Sequence, residues 1–548
     1  MIRMRNVPRD RFFLFLLLLF LSRMVSCEAK SKEPPVDPTA ILPADRRIDW
    51  NPGIPGGIPS YPVAINVKNA PYNARGDGIS DDTAALRLAI ANCPARSAVY
   101  LPAGTYRLTS ELEISMKSIV LRGDGPDKTF LKFYNSGGYG IVFSGEGGAY
   151  LTRGISSGYT KGSTALTMSS TSGLAAGDYL LISQDNDPAV CEGMLSYQVR
   201  SIGQFVRVTG VSGNTVTINK PLYYTYNPNY APQIEKYAMI ENAGVEDLYV
   251  ERADILLYLA ANCWVKNVES YMSDGAHVTI QKSYANVVRS SYFHHAEEFG
   301  GGSGYGVFLL GRCTDNLVED NIFYYLRHAG TIEWGGTGNV FAYNYATTLF
   351  DESEPYTDWL MQSFHTHGGH PYMNLFEGNV CPSIVFDNAI GSSRHNTAFR
   401  NHAYRYGENA VGPITTNLNA VEVQKNNLYE NVIGNVLCLP GATGSYEVNS
   451  SAPGVWKIGC NQSNCGDYDP RAKSTLLQHG NYDYITGMTN WDPAILERNL
   501  PNSLYLKSKP SFFGALPWPM AGPDLSPMVG QLPAKQRFEA KNLSPAGR

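Results

Sequence analysis

Charge is the scarce ingredient in this chain. Asp, Glu, Lys and Arg make up 17% of the 548 residues, against ~25% in ordinary soluble domains, and the net charge is −5. A surface so poor in cations lacks the basic footprint of a general nucleic-acid binder, so nucleic acid is not expected as a partner. Paired CxxC motifs and finger spacings are missing, which argues against a structural zinc site. No apolar run approaches the ~20 residues that cross a bilayer. The longest, FFLFLLLLFLS, comes after the basic MIRMRNVPRDR and precedes the small residues Ser26 and Ala29. That order is an export signal, over residues 1–27.

Two readings are open for the end of the signal. Met24-Val25-Ser26-Cys27 resembles a bacterial lipoprotein cleavage box with Cys27 as the lipidated residue, although Arg23 departs from the usual apolar pattern. Either a lipid on Cys27 ties the chain to a membrane or the chain is simply secreted; a secreted, periplasmic or outer-surface location is expected. Residues 28–60, with Pro34-Pro35 and NPGIPGGIPSYP, read as a linker. Of nine cysteines, Cys460 and Cys465 in CNQSNC are the expected disulfide because their loop is so short. The others sit in apolar settings and read as buried small hydrophobes.

The chain is rich in Gly (53), Tyr (35) and a repeated spacing of Asn. The pieces Asn242-AGVE-Asp247, Asn262-CWVK-Asn267, Asn286-VVRS-Ser291, Asn316-LVED-Asn321, Asn339-VFAY-Asn344, Asn374-LFEG-Asn379, Asn396-TAFR-Asn401 and Asn426-NLYE-Asn431 begin 20, 24, 30, 23, 35, 22 and 30 residues apart. Each supplies a short strand flanked by Asn, which tolerates left-handed backbone in tight turns. Units of this size cannot bury an apolar face alone but can when stacked at ~4.8 Å, each strand pairing with its copy in the next coil. Like residues then fall above like residues, and an Asn column can form a side-chain ladder. The expected fold is all-β: a right-handed parallel β-helix over 61–440, with a loop-rich C-terminal cover over 441–548 for the last coils.

The front of the solenoid agrees. YNARGDGISDDTAALRLAIANC is a Gly-rich turn, a helix start at Asp81-Asp82, and a helix with Leu86, Ala89, Ile90 and Cys93 on one face. Such a helix would plug an end that otherwise exposes unpaired strand edges. The GDGxxDDTxAL and VYLPAGTY patterns resemble the entry of the pectate-lyase-like β-helix superfamily, which includes polygalacturonase-related enzymes and phage tailspikes. The resemblance implies the fold and work on carbohydrate. The polygalacturonase Asn-Thr-Asp and Gly-His-Gly patterns have no match in the repeat region, and the pectate-lyase calcium and arginine motifs are missing, so the reaction stays open. Residues 160–225, with the hairpin turn Gly213-Asn214, read as a small antiparallel β insertion.

Nine of the ten histidines fall between His277 and His402. Eleven to thirteen positions after the first Asn of successive coils stand Asp274, Glu297 and Glu298, Arg327 and His328, Asp351 and Glu352, and Asp387. Equal offsets are neighbours in stacked coils, so these groups would form one strip, joined by His277, Glu333, His365 and His367. The candidate catalytic set is Glu298, Asp351, Glu352, Asp387, His365 and His367. The candidate substrate-binding set is His277, Glu297, Arg327, His328, Glu333, Trp334, Tyr356, Trp359, His370, Tyr372, Arg394 and His395, in which aromatic faces would stack on sugar rings. His365, His367 and His370 also suit a metal with an acidic partner; the preferred reading is a hydrogen-bonded substrate floor, with no metal. His294, His295 and His402 are read equally well as turn fillers. Charges inside the Asn units (Lys266, Arg289, Glu319, Glu377, Arg400, Glu430) are expected to form a solvated ladder of mixed sign.

Three functions fit. A glycoside hydrolase needs two carboxylates, ~5–5.5 Å apart for retention or ~6.5–9.5 Å for inversion, and adjacent or next-but-one coils bracket both. A polysaccharide lyase needs a base beside a uronate carboxylate and a cation or proton donor; His328, His367, Arg327 and Arg394 would serve, with calcium called in because the strip carries surplus acids. A non-catalytic glycan-binding surface protein would use the same groove without product. The hydrolase is preferred, as a monomer acting on a polysaccharide with no cofactor required.

Overall fold

The computed structural model describes residues 37–543 apart from 135–136, 354–355, 410–411, 451 and 462–464. The export signal, Cys27 and the first part of the linker lie outside the described residues. Among those described, no helix is long and apolar enough to cross a membrane.

The chain winds into a right-handed parallel β-helix with three faces. In the central coils the first face is built from Val287–Arg289, Leu317–Glu319, Val340–Ala342, Leu375–Glu377, Thr397–Phe399 and Asn431–Ile433, each paired in parallel with the next. The second face comes one corner later, from Tyr292–Ala296 through Ile322–Leu326 and Tyr345–Leu349 to Val436–Leu437. The third runs through Ala276–Gln281, Tyr305–Leu310, His328–Glu333, Phe364–His367, Ile384–Phe386, Asn419–Val423 and Gly454–Ile458. Strand alternation sends one set of side chains inward, giving stacked columns such as Val288, Val318, Phe341, Phe376, Ala398 and Val432 in the core. Parallel pairing continues beyond 440, where the sequence reading ended the solenoid, through Leu477–His479 and Asn481–Asp483.

Two amide ladders turn the corners on either side of the first face. Asn286, Asn316, Asn339, Asn374 and Asn396 pass side-chain hydrogen bonds from coil to coil at 2.8–3.0 Å. Asn321, Asn344, Asn379, Asn401, Asn435 and Asn481 do the same at 2.9–3.0 Å. Each carbonyl oxygen also takes the backbone N–H of the preceding coil's Asn, as Asn339 does from Asn316 at 3.0 Å. The expected register is off in three units. Asn431 pairs with Thr397, so the ladder positions of that coil are Glu430 and Asn435 rather than Asn426 and Asn431. In the first two units Asn242, Asp247, Asn262 and Asn267 sit one residue early, where the corner needs positive φ. Later coils give that strained position to the residue before the ladder Asn, such as Asp315, Met373 or His395.

Helix Thr83–Asn92 plugs the entrance with Leu86, Ala89 and Ile90 in the core. Asp81 accepts from Thr83 N, and Asp82 accepts from Arg75 N and Gly76 N, which makes both structural. Residues 146–238 form a closed six-stranded antiparallel barrel with a tight turn at Gly213-Asn214. Both flanking segments that the structure describes pack against the solenoid. The lead-in packs Ile41, Leu42 and Trp50 on the first face, and the C-terminal segment lays Leu500, Phe513, Met520 and Leu532 over the same flank. It reaches back to the coil of Asp320, which Arg537 binds at 2.9 Å, well before the last coils it was expected to cover. That strap buries Glu319, Glu377 and Arg400, and Glu430 is buried too, so these four are not part of a solvated ladder, while Lys266 and Arg289 are only half-buried. Cys460 and Cys465 form a disulfide.

Candidate functional site

On the third face, a local irregularity decides which side chains look outward. Ala329 N and Gly330 N both donate to Ser363 O, at 3.0 and 2.9 Å, the signature of a bulge that re-aims its neighbours. A Cβ on Gly306 would collide with Phe323, and one on Gly330 with Phe341 and Phe364, so both positions face the core. Tyr305 and His328 are thereby thrown outward, stacked at 5.2 Å. In the previous coil His277 lies in the row of Gly306 and likewise faces inward, against Ser270 Oγ (2.7 Å) and Phe293. His277 is therefore a core residue and not a substrate ligand.

Regular alternation resumes beyond the bulge. Thr331 pairs with His365 and Glu333 with His367, and Asp387 comes directly after strand Ile384–Phe386 in the next coil. His367 Nδ1 lies 2.8 Å from Asp387 Oδ2 and 3.0 Å from Oδ1. His365 Nε2 lies 3.8 Å from the same Oδ2. The ring of His328 is 4.5 Å from that of His365, and its Nδ1 donates to Gln362 O at 2.8 Å. Arg327 donates to Asp351 Oδ2 at 2.8 Å and to the Tyr305 hydroxyl at 3.2 Å.

Burial assigns the protons. It holds His328 well below its usual value, with Arg327 adding repulsion, and pushes His365 down to about 3, so both rings are neutral. Burial opposes the charge on His367 too, but the Asp387 carboxylate outweighs it and lifts the imidazole above its ordinary value. Asp387 is the reciprocal case: burial would raise it, and the charge on His367 holds it below the usual carboxylate range. Glu333 moves the other way, raised by burial. Two carboxyl groups on either side of His367 are thus pushed apart, one toward the acid and one toward the carboxylate.

The donor atoms of His365, His367 and Asp387 lie within 4.8 Å of one another, a set a first-row divalent ion could use. It does not suit calcium, which takes six to eight oxygen ligands. As the site stands, His367 Nδ1 is engaged by the carboxylate.

The other residues singled out from sequence fall in three places. Glu298 and Glu352 are exposed on loops beside the site, and Glu297 is ion-paired with Arg252 at 2.8 Å. Trp359 is buried with the Lys457 ammonium 5.3 Å from its ring centre, and half-buried Tyr356 packs edge-on against it, so neither forms a sugar platform. His370, Tyr372 and His395 form a stacked corner against Tyr224 of the barrel. Arg394 donates to Ala189 O at 2.8 Å, and Trp334 donates to Val199 O at 3.2 Å. These five hold the barrel to the solenoid and do not line an open groove. The sequence reading passed over Tyr305, Gln362 and Tyr197, all of which touch the cluster. Tyr305 was findable, because it shares a row with His328.

Comparison with known proteins places this architecture. Residues 64–168 match a family model described as rhamnogalacturonase A/epimerase, pectate lyase-like. No curated protein matches by sequence. Among solved structures, the chain is similar to the tailspike protein gp49 of Pseudomonas phage LKA1, with 19% identity and a TM-score of 0.51, covering 68% of this chain and 64% of the tailspike. It is similar also to the mannuronan C-5 epimerase AlgE6 A-module of Azotobacter vinelandii, with 16% identity, 76% and 93% coverage and a TM-score of 0.39. At these identities the likeness is one of fold. The chain spans just under two thirds of the LKA1 tailspike.

Proposed function

We propose that this chain is an exported enzyme that hydrolyses glycosidic bonds of an extended glycan lying along the third face. The carrying observation is the opposed displacement of Glu333 and Asp387 about His367, the arrangement that separates an acid from a base. In this reading Glu333 gives its proton to the departing glycosidic oxygen. Asp387, held ionised and oriented by His367, takes a proton from the water that attacks the anomeric carbon. Glu333 and Asp387 stand two coils apart, ~9.6 Å between backbones, which favours the inverting geometry over the retaining one. The pectate-lyase-like match over 64–168 is consistent with a glycan as substrate.

A second reading rests on one feature. Tyr305, bonded to Arg327 beside the neutral His328, offers a base and a proton donor for β-elimination on a uronate chain. Digestion of plant, algal and microbial polysaccharides, with and without chelator, separates the two. The hydrolase releases new reducing ends with no ultraviolet-absorbing unsaturated ends and is unaffected by chelator. Glu333→Gln and Asp387→Asn should each lower kcat by ~10²–10⁴. Unsaturated product ends would overturn hydrolysis in favour of elimination, and binding without any product would leave a glycan-binding protein.

A further inference from the structure

The antiparallel barrel contributes nothing to the acid–base pair, yet one of its loops reaches it. Residues 185–201 leave strand Tyr179–Gln184 and return as Ile202–Ser212. The loop is pinned to the solenoid on both sides of Glu333 and His367. Gln198 Oε1 accepts from Gly369 N at 3.1 Å, and Val199 O accepts from Trp334 Nε1 at 3.2 Å and from Arg312 at 3.1 Å. Between these anchors the Tyr197 hydroxyl donates to Glu333 Oε1 at 3.3 Å, while its ring stands edge-on to Trp334. The same short stretch leaves three large apolar side chains in alternation facing solvent, Leu195, Tyr197 and Val199, at 44, 51 and 58% exposure.

Isolated exposed hydrophobes need no explanation, but an apolar edge rimmed by polar groups and continuous with a reactive carboxyl marks a ligand groove. The loop is fixed by hydrogen bonds and still presents a half-open aromatic face at the one place where a sugar ring would pass Glu333. We infer that loop 185–201 is the barrel-side wall of the glycan site, and that Tyr197 both stacks on a sugar ring and positions Glu333. This rests on Glu333 being the proton donor.

The two roles of Tyr197 separate by chemistry. Its hydroxyl favours the ionised form of Glu333 and so offsets part of the rise that burial causes. Tyr197→Phe removes that bond and keeps the ring, so the Glu333 pKa rises further and the alkaline limb of the rate profile, where the acid loses its proton, moves to higher pH. Tyr197→Ala loses the ring as well.

The test uses the full chain and two readouts. Carboxyl ¹³C titration of Glu333 needs no substrate; it should show an upward displacement in Tyr197→Phe, which loses the bond and keeps the ring that covers the carboxyl. Kinetics on whichever of xylan, soluble β-glucan, polygalacturonate and alginate the wild type cleaves fastest should show KM within twofold for Tyr197→Phe and about tenfold higher for Tyr197→Ala. Wild-type titration in Tyr197→Phe and wild-type KM in both variants, with Glu333→Gln inactive, would overturn the role of the loop while sparing the acid. A fully active Glu333→Gln, or no cleavage of any of the four, would overturn the assignment of Glu333 and the inference together.

Discussion

Glu430 ends the first amide ladder and gives the sharpest test of how this solenoid is held together. It occupies the position that Asn fills in the coils before it, is fully buried, and accepts from Ser393 Oγ at 2.8 Å and from Asn396 N at 2.6 Å. Burial lifts its carboxyl from 4.5 to about 8. Below pH 4.5 both the folded and unfolded chains carry the proton, and its contribution to stability is fully present. As pH rises from there toward 8, the unfolded chain releases a proton that the folded chain keeps. Stability then falls by about 1.4 kcal/mol per pH unit, reaching ~4 kcal/mol near pH 8 and levelling above it. Glu430→Gln keeps the shape and an amide's acceptor but has no proton to lose. Urea unfolding of both proteins from pH 5 to 9 should show the difference growing in favour of Gln up to about pH 8 and then flattening. Glu377 and Asp254, each raised to about 7 by burial, impose the same sign on both proteins and cancel in the comparison. A difference that stays constant over this range would refute the burial argument.

The same packing sets two further outcomes. Asn339→Ala leaves the buried Asn316 N without a partner and takes one of two partners from Asn316 Nδ2 and from Cys313 O. It should cost about 2–4 kcal/mol in unfolding experiments, since an orphaned buried group costs ~1–3 kcal/mol and a lost hydrogen bond about 1 kcal/mol. Arg400→Met leaves Asp524 and the carbonyls of Leu500, Pro501 and Ala521 without their donor. Limited proteolysis should then cut within 491–543 before the coils are touched.

The repeat was legible because the ladder is written with one residue type: an Asn that must accept from one coil and donate to the next tolerates few replacements. It failed where the residue changed, as at Glu430, and where Asn served the left-handed corner instead, as at Asn242 and Asn262. The clustering of Arg327, His328 and Asp387 came from equal offsets, which stacking converts into contact, and His365 and His367 joined it from the strand that follows. His277 and Tyr305 escape the sequence pattern for a single reason. Position after the Asn places a residue in the stack without saying which way it points, and at the bulge His277 turns into the core while Tyr305 turns away from it. Tyr197 carried no periodic signal, because the barrel that supplies it is not part of the repeat.

The strap has a consequence for the order in which the molecule can be completed. Coils gain pairing partners as soon as they are made, each on the one before. The outer column of Val340, Ala342, Leu375, Phe399 and Ile433, by contrast, is sealed by Ile41, Leu42 and Trp50 and by the strap of Leu500, Phe513, Met520 and Leu532, so a nascent solenoid carries a greasy seam along its length until the strap has been made. A chain halted before residue 500 would have its stacked coils and still lack its closing flap, which makes the strap a checkpoint that separates covered solenoids from those that quality control should remove.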